Sequence, residues 1–416
     1  MGKLVIAGGK KLEGEIQLQG AKNAVLPILA ASLLNGGQSV ISNCPALSDV
    51  SSAIEILISL GCSVEQNGNT IKVDSSQLKN HEIPDRLMRE MRSSIMFLGA
   101  ILARGKNAVI SYPGGCEIGP RPVDLHIKAL KELGVCIHEE HGFINCHSDH
   151  IVGTQIHLAF PSVGATENVM LAAAMADGET VLSNPALEPE IVDLQNFINA
   201  MGGKIKGAGT KEIRIQGVKQ LHDVEYSVIP DRIVAATYLA GAAITGGNVT
   251  ITHAVPDHVT AVLSVLKDMG CQIEIATDEI RLIAPDRLHP VNLIRTQVYP
   301  GFPTDAQAPI MACLAMAQGT SVLAETIFEN RFRHVEEMNK MGADINVDGR
   351  CAIIRGVKEL KGASVMAKEL RGGAALIVAG LAACGTTEIE GVEYIDRGYQ
   401  EIEKTLQKVG ADIKRI

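Results

Sequence analysis

Cys116 stands in the run PGGCEIGPRP, with Gly114, Gly115 and Gly119 around it, Pro113, Pro120 and Pro122 interleaved, and Arg121 five residues on. A thiol turned tightly beside a guanidinium, close to a helix start, has its thiolate stabilised and can serve as a proton donor or as a nucleophile. A small side chain filling a turn would call for the same neighbours, so spacing alone leaves both readings open. Cys44, in SNCPAL, holds nearly the same place one repeat earlier but lacks the glycines and the arginine.

A second group of polar residues falls just before apolar helical runs: Lys22 and Asn23, Arg92 and Ser93, Ser162 to Thr166, Asp231 and Arg232, Asp305, and Arg371. A third precedes amphipathic runs: Cys116 and Arg121, Glu188, Arg331, and Asp396 with Arg397. Helix N-termini carry unpaired N–H groups and partial positive charge, so cations gathered there suit phosphate and carboxylate ligands. Taken singly, each cation fits a solvated side chain or a structural ion pair; their repeated placement favours a site for the group. Asp305, in YPGFPTDAQAP, has Pro303 before it and a buried helix after it, and from these residues alone it reads as an N-cap. His126, within PVDLHIK, fits a structural role better than a catalytic one. Neither GxGxxG nor GxxxxGK[ST] occurs in a strand-to-helix context, which disfavours a dinucleotide fold or a P-loop.

The elements that must position these residues repeat. An apolar-Gly phrase recurs as LGCSV, LGVCI, MGGKI, MGCQI, MGADI and VGADI, starting at Leu60, Leu133, Met201, Met269, Met341 and Val409. The steps are 73, 68, 68, 72 and 68 residues, a regular period. Each phrase closes an amphipathic segment, as in Ala53, Ile56, Leu57 and Leu60, with glycine ending the helix and a strand following. Ahead of each lies an apolar, Ala/Gly-rich segment such as NAVLPILAASLLNGG or RGGAALIVAGLAACG, expected to form a helix buried on all sides. Strands such as SVIS, AVISY and NVTIT come next. Each unit therefore reads strand, buried helix, strand, amphipathic helix, strands.

At 416 residues the chain is too long for one core, and six units divide most simply as three plus three, with a boundary near YSVIPDR and a cleft between two domains. A six-unit solenoid is the alternative, disfavoured because it would leave all-apolar helices uncovered. The net charge of −9 and the 3% aromatic content argue against nucleic acid as a partner. No apolar run is long enough for a membrane span, and no secretory leader is legible, so a cytoplasmic location is expected. Nine scattered cysteines without a CxxC pair suggest neither disulfides nor a zinc site.

The motifs GAKNAVLPI at 20–28, PGGCEIGPRPVDLH at 113–126, SVGATEN at 162–168, EPEIVD at 188–193, PDRI at 230–233, FPTDAQAP at 302–309, ENRFRHVEE at 329–337 and IDRGYQ at 395–400 resemble the UDP-N-acetylglucosamine enolpyruvyl transferase family, essentially from end to end. The resemblance implies two inside-out α/β barrel-like domains, each of three pseudo-symmetric βαβαββ units. One would span 20–229 and the other 1–19 plus 230–416, with the active site in the cleft. It implies transfer of the enolpyruvyl group of phosphoenolpyruvate to the 3-hydroxyl of UDP-N-acetylglucosamine with release of phosphate, the first committed step of peptidoglycan precursor synthesis. No cofactor and no metal is implied.

By motif position the resemblance assigns catalysis to Cys116, Asp305, Lys22 and Arg397. Phosphoenolpyruvate would meet Lys22, Arg121 and Arg397, with Arg92 and Arg371 adding to the field. The sugar nucleotide would be held by Asn23, Arg92, Arg121, Pro122, Val123, Asp124, Leu125, Ser162, Val163, Gly164, Asp305 and Ile327. The thiol of Cys116 would also be the target of fosfomycin. Around Arg371 the run ELRGGAAL has Glu369 and two glycines where the family often has an acidic residue and small polar ones.

Overall fold

The six glycines that close the repeat phrases, Gly61, Gly134, Gly202, Gly270, Gly342 and Gly410, have φ of +108°, +90°, +96°, +93°, +89° and +96°. This left-handed turn is open to glycine at little cost, which explains why one residue type recurs at each helix stop. The computed structural model describes residues 2–114 and 123–416. These form two compact units, one of residues 2–19 with 230–416 and one of 20–114 with 123–229. Both are mixed α/β, built of small sheets packed around helices.

In the unit holding the N-terminus, the helices Arg232–Ile244, Gln307–Leu314 and Leu370–Ala382 pack against one another. Nearly every residue of the three is buried, in agreement with their lack of an apolar/polar division. In the other unit the corresponding segments are Lys22–Ala31, Phe97–Gly105 and Val163–Ala173. A Cβ on Gly99 would lie 2.4 Å from the Asn168 carbonyl oxygen, so the last two approach backbone to backbone only because residue 99 has no side chain. Amphipathic helices such as Ser48–Leu60 bury one stripe, here Ala53, Ile56, Leu57 and Leu60, beneath a solvated face.

Each sheet follows one plan. A leading strand runs parallel to the strand that follows the inner helix, and two further strands add antiparallel on the far side. Thus Asn248–Thr252 lies parallel to Glu13–Gln17 and antiparallel to Glu279–Ile283. This register sets Ile251 opposite both Ile16 and Ile280, and all three are buried. In the sheet of Asn107–Ser111 the leading strand shrinks to a single bridge, Glu82 with Val109.

The linear unit expected from the sequence differs from the spatial one in three places. Glu13–Gln17 precedes the first inner helix in sequence, yet it pairs with Asn248–Thr252 of the fourth repeat. Val224–Ser227 precedes the fourth inner helix, yet it pairs with Gln38–Ser42 of the first. The sixth sheet is closed by Leu4–Ala7, seated between Thr386–Glu390 and Asp412–Arg415. Strand exchange of this kind is set by long-range hydrogen bonding and leaves no local pattern in the chain.

Candidate active site

Most of the polar residues singled out in the sequence do stand at the starts of inner helices. In the unit of 20–229, Lys22 is the first residue of Lys22–Ala31 and is buried; its Nζ lies 2.6 Å from Oδ2 of Asp49, in the first turn of Ser48–Leu60. The two side chains are 10% and 5% exposed, so the pair is shielded from water and its attraction is correspondingly strong. Asn23, next on the helix, is half-buried. Asp49 was not singled out from the sequence. Its only signal is an acidic residue at a buried position in the first turn of an amphipathic helix.

Arg92 opens the short helix Arg92–Met96, and its Nη1 donates to the Pro113 carbonyl at 3.3 Å. It also lines a cavity of about 710 Å³ together with Tyr112, Val123, Asp124, Lys128 and Lys131. Val123 is buried at the start of Asp124–Glu132, Asp124 is exposed and Leu125 half-buried. Ser162 caps the helix Val163–Ala173, its Oγ accepting from Ala165 N at 3.3 Å. Val163 and Gly164 follow, both half-buried. Cys116, Arg121 and Pro122 lie outside the described residues.

His126 is buried and packs against Asn168. Asn168 accepts from Gly99 N at 2.8 Å through Oδ1, and its Nδ2 donates to Ile95 O at 3.0 Å and to His126 Nδ1 at 2.7 Å. Nδ1 is therefore an acceptor and the ring carries its proton on Nε2. That edge faces Gly164, where a Cβ would come within 2.9 Å of His126 Cε1. Glycine at 164 thus lets two helix starts meet over the imidazole.

In the unit of 2–19 and 230–416, Asp305 lies in the short helix Thr304–Ala306. The N-cap position is Pro303 and makes no side-chain cap, so Asp305 is not an N-cap. Its Oδ1 instead accepts from Arg331 Nη2, and Oδ2 lies 3.7 Å from Arg371 Nη2. Both guanidiniums are 4% exposed, whereas the carboxylate is 29% exposed and so open to a ligand. Glu369 stands on the other side: Oε2 is 3.9 Å from Arg331 Nη1 and accepts from Arg371 N at 2.8 Å, and Oε1 accepts from Gly372 N. Glu369 is thus the cap of the helix bearing Arg371. Two carboxylates balance two guanidiniums.

Arg371 also reaches the inner helices. Its Nη1 donates to Tyr399 Oη at 3.2 Å, the phenol lies 2.8 Å from Thr237 Oγ1, and that hydroxyl donates to Ile233 O at 3.1 Å. Burial works against the Arg371 charge, but Tyr399, Asp305 and Asp231 more than offset it and hold the guanidinium above its ordinary value. Asp231 caps Arg232–Ile244, accepting from Ile233 N and Val234 N at 2.9 and 3.0 Å. His334, at the start of Val335–Lys340, is buried, and neither ring nitrogen has a partner among the described residues. Burial pushes its pKa down to about 4, with Glu369 opposing and Arg331 assisting. Arg397 is half-buried in the turn after Val392–Ile395, and Ile327 is half-buried after the strand Thr320–Ala324.

The described thiols divide cleanly. Cys44, Cys62, Cys146 and Cys271 are buried, and desolvation pushes them up to about 12, 11, 12 and 12. Cys313 is fully buried, and desolvation likewise raises it well above the ordinary thiol value. Cys44 donates to Ile41 O at 3.4 Å and is a core residue, with no reactive thiolate at neutral pH. Among the described residues no cluster of His, Cys, Asp and Glu could hold a metal, and no helix is long and apolar enough to cross a membrane.

Against known proteins, the family described as EPSP synthase (3-phosphoshikimate 1-carboxyvinyltransferase) matches residues 6–406. UDP-N-acetylglucosamine 1-carboxyvinyltransferase 2 of Caldanaerobacter subterraneus subsp. tengcongensis is 57% identical over 416 residues, covering 100% of both chains. UDP-N-acetylglucosamine 1-carboxyvinyltransferase 1 of Symbiobacterium thermophilum is 50% identical over 420 residues, covering 100% of this chain and 95% of that one. Among solved structures, the enolpyruvyl transferase NikO from Streptomyces tendae superposes with a TM-score of 0.89 at 24% identity, over 100% and 98% of the two chains. EPSP synthase from Acinetobacter baumannii gives 0.76 at 20% identity over the whole of both. These last two likenesses speak to the fold.

Proposed function

The chain belongs to the EPSP synthase family and, within it, to the UDP-N-acetylglucosamine 1-carboxyvinyltransferases, and from that premise we propose how its residues carry out the transfer. The substrates are phosphoenolpyruvate and UDP-N-acetylglucosamine, and the product feeds peptidoglycan synthesis in the cytoplasm. The observation that carries this is identity of 57% over the entire length to a transferase of that name.

Asp305 orients the sugar 3-hydroxyl and accepts its proton as the oxygen attacks the central carbon of phosphoenolpyruvate. Cys116 delivers a proton to the methylene carbon, so that O–H adds across the double bond. In the second stage a methyl proton is removed and the C–O bond to phosphate breaks, regenerating the double bond and releasing inorganic phosphate. Lys22, Arg121 and Arg397 hold the phosphate and carboxylate, with Arg92 and Arg371 adding to the field; planar guanidiniums suit both groups. Asn23, Val123, Asp124, Leu125, Ser162, Val163, Gly164, Ile327 and Pro122 hold the sugar nucleotide. The thiol of Cys116 is also the site at which fosfomycin alkylates the enzyme.

The support from geometry is the Asp305 carboxylate. Two buried guanidiniums fix both its oxygens, yet it remains partly open to solvent. A base held this way loses little orientational entropy on meeting its substrate. The test is phosphate release from phosphoenolpyruvate, with UDP-N-acetylglucosamine or shikimate 3-phosphate as acceptor. Release is expected with the sugar nucleotide alone, and Cys116→Ala should abolish it; wild-type protein that releases none, or that prefers shikimate 3-phosphate, would refute the assignment.

A further inference from the structure

Behind Asp305 sits a buried carboxylate for which the transfer has no direct use. Glu325 is 1% exposed and has no salt-bridge partner among the described residues. It follows the strand Thr320–Ala324, and its two oxygens receive four donors. Oε1 accepts from Thr296 Oγ1 at 2.9 Å, from Ile327 N at 2.8 Å and from Phe328 N at 3.1 Å. Oε2 accepts from Thr304 Oγ1 at 2.8 Å. Thr296 in turn ties back to the same loop, accepting from Thr326 N at 2.8 Å.

These bonds close a circuit. Thr304 is the residue before Asp305 on the short helix; Asp305 pairs with Arg331; the Arg331 guanidinium lies 5.6 Å from the centroid of the Phe328 ring; and the Phe328 amide returns to Glu325. An ionised carboxylate taken out of water persists only where its lone pairs are satisfied, and here two hydroxyls and two amides do so. A neutral residue of the same size could accept from the amides but could not take all four donors at once.

We propose that Glu325 is a positioning residue for the acceptor sugar: through Thr304 it sets the Asp305 carboxylate, and through the amides of Ile327 and Phe328 it sets the loop beside the sugar. This rests on the roles proposed above for Asp305 and Ile327. Asp305 then has three supports, Arg331 and Arg371 on its oxygens and Glu325 on the backbone that carries it. The consequence is specific to the acceptor. Phosphoenolpyruvate is assigned above to a different set of residues, Lys22, Arg121 and Arg397.

Replacing Glu325 with alanine would orphan two amides and two hydroxyls and could prevent folding, so the informative change is smaller. Thr304→Val removes the single bond from Thr304 Oγ1 to Glu325 and keeps the volume, while Thr304→Ser restores the hydroxyl. Steady-state phosphate release should show kcat reduced about tenfold in Thr304→Val, the cost of a misplaced base. KM for phosphoenolpyruvate should stay within about twofold of wild type, and Thr304→Ser should recover most of the lost kcat. Thr304→Val with wild-type kcat, Thr304→Ser as slow as Thr304→Val, or an equal rise in KM for phosphoenolpyruvate would overturn the inference while leaving the transfer itself intact. A wild-type enzyme that released no phosphate would overturn the transfer and the inference together.

Discussion

His334 gives the sharpest quantitative handle on the unit that carries Asp305. The ring is buried and neither nitrogen has a partner among the described residues, so it is folded as the neutral imidazole, with its pKa pushed down to about 4 by burial. In the unfolded chain the same side chain titrates near 6.5. Between these values the unfolded state binds the extra proton, so stability falls as pH falls. From pH 7 to pH 5 the difference between the two titrations comes to about 2 kcal/mol. For a unit of this size that is a melting-point loss of roughly 4–8 °C.

The perturbation is His334→Leu, which removes the titration and keeps an apolar side chain in the buried site. The assay is thermal unfolding of wild type and variant at pH 7 and pH 5. The wild type should lose about 4–8 °C more than the variant across that interval. Asp193, pushed up to about 6 mainly by burial, and Glu167, raised by burial and then by Glu190 and Glu188, act in the opposite sense. Both belong to the other unit and are common to the two proteins, so they cancel in the comparison. Equal pH sensitivity of wild type and variant would refute the claim that His334 is folded neutral.

Asp49→Asn should destabilise the protein by about 3–5 kcal/mol, because it removes the carboxylate paired with the buried Lys22 ammonium. A double-mutant cycle with Lys22→Met, read by urea unfolding, should recover much of that loss, and simple additivity would contradict the pairing. Fosfomycin should add one adduct, at Cys116, as read by peptide mass mapping. Cys44, Cys62, Cys146, Cys271 and Cys313 should stay unmodified because burial keeps them protonated, and an adduct on any of these five would contradict their placement in the core.

Much of this architecture was legible because its signals are local. A glycine forced into the left-handed region at 61, 134, 202, 270, 342 and 410 marks a helix stop wherever it occurs, and an all-apolar helix announces burial on every side. The same logic located Lys22, Ser162, Asp305 and Arg371 at or near helix starts. What stayed hidden were partnerships across the chain: Asp49 for Lys22, Arg331 for Asp305, Glu325 for Thr304 and Ile327. A carboxylate beyond a strand end looks solvated in sequence, and only packing reveals four donors converging on Glu325. The N-cap reading of Asp305 failed for the same reason, since two distant arginines outcompete the local amides.

On the ribosome the two halves of this chain have unequal prospects. Residues 20–229 hold every strand of their own sheets, including Val224–Ser227 against Gln38–Ser42, so this half can complete its hydrogen bonding once residue 229 has cleared the exit tunnel. The first strands to emerge belong elsewhere. Glu13–Gln17 must wait for Asn248–Thr252, and Leu4–Ala7 for Thr386–Glu390 and Asp412–Arg415, the final strand made. Throughout most of synthesis those two segments are unpaired edges, the kind of backbone that recruits chaperones or neighbouring nascent chains. An N-terminal fusion that stiffens residues 2–19 would therefore hinder the half completed last while sparing the one completed first.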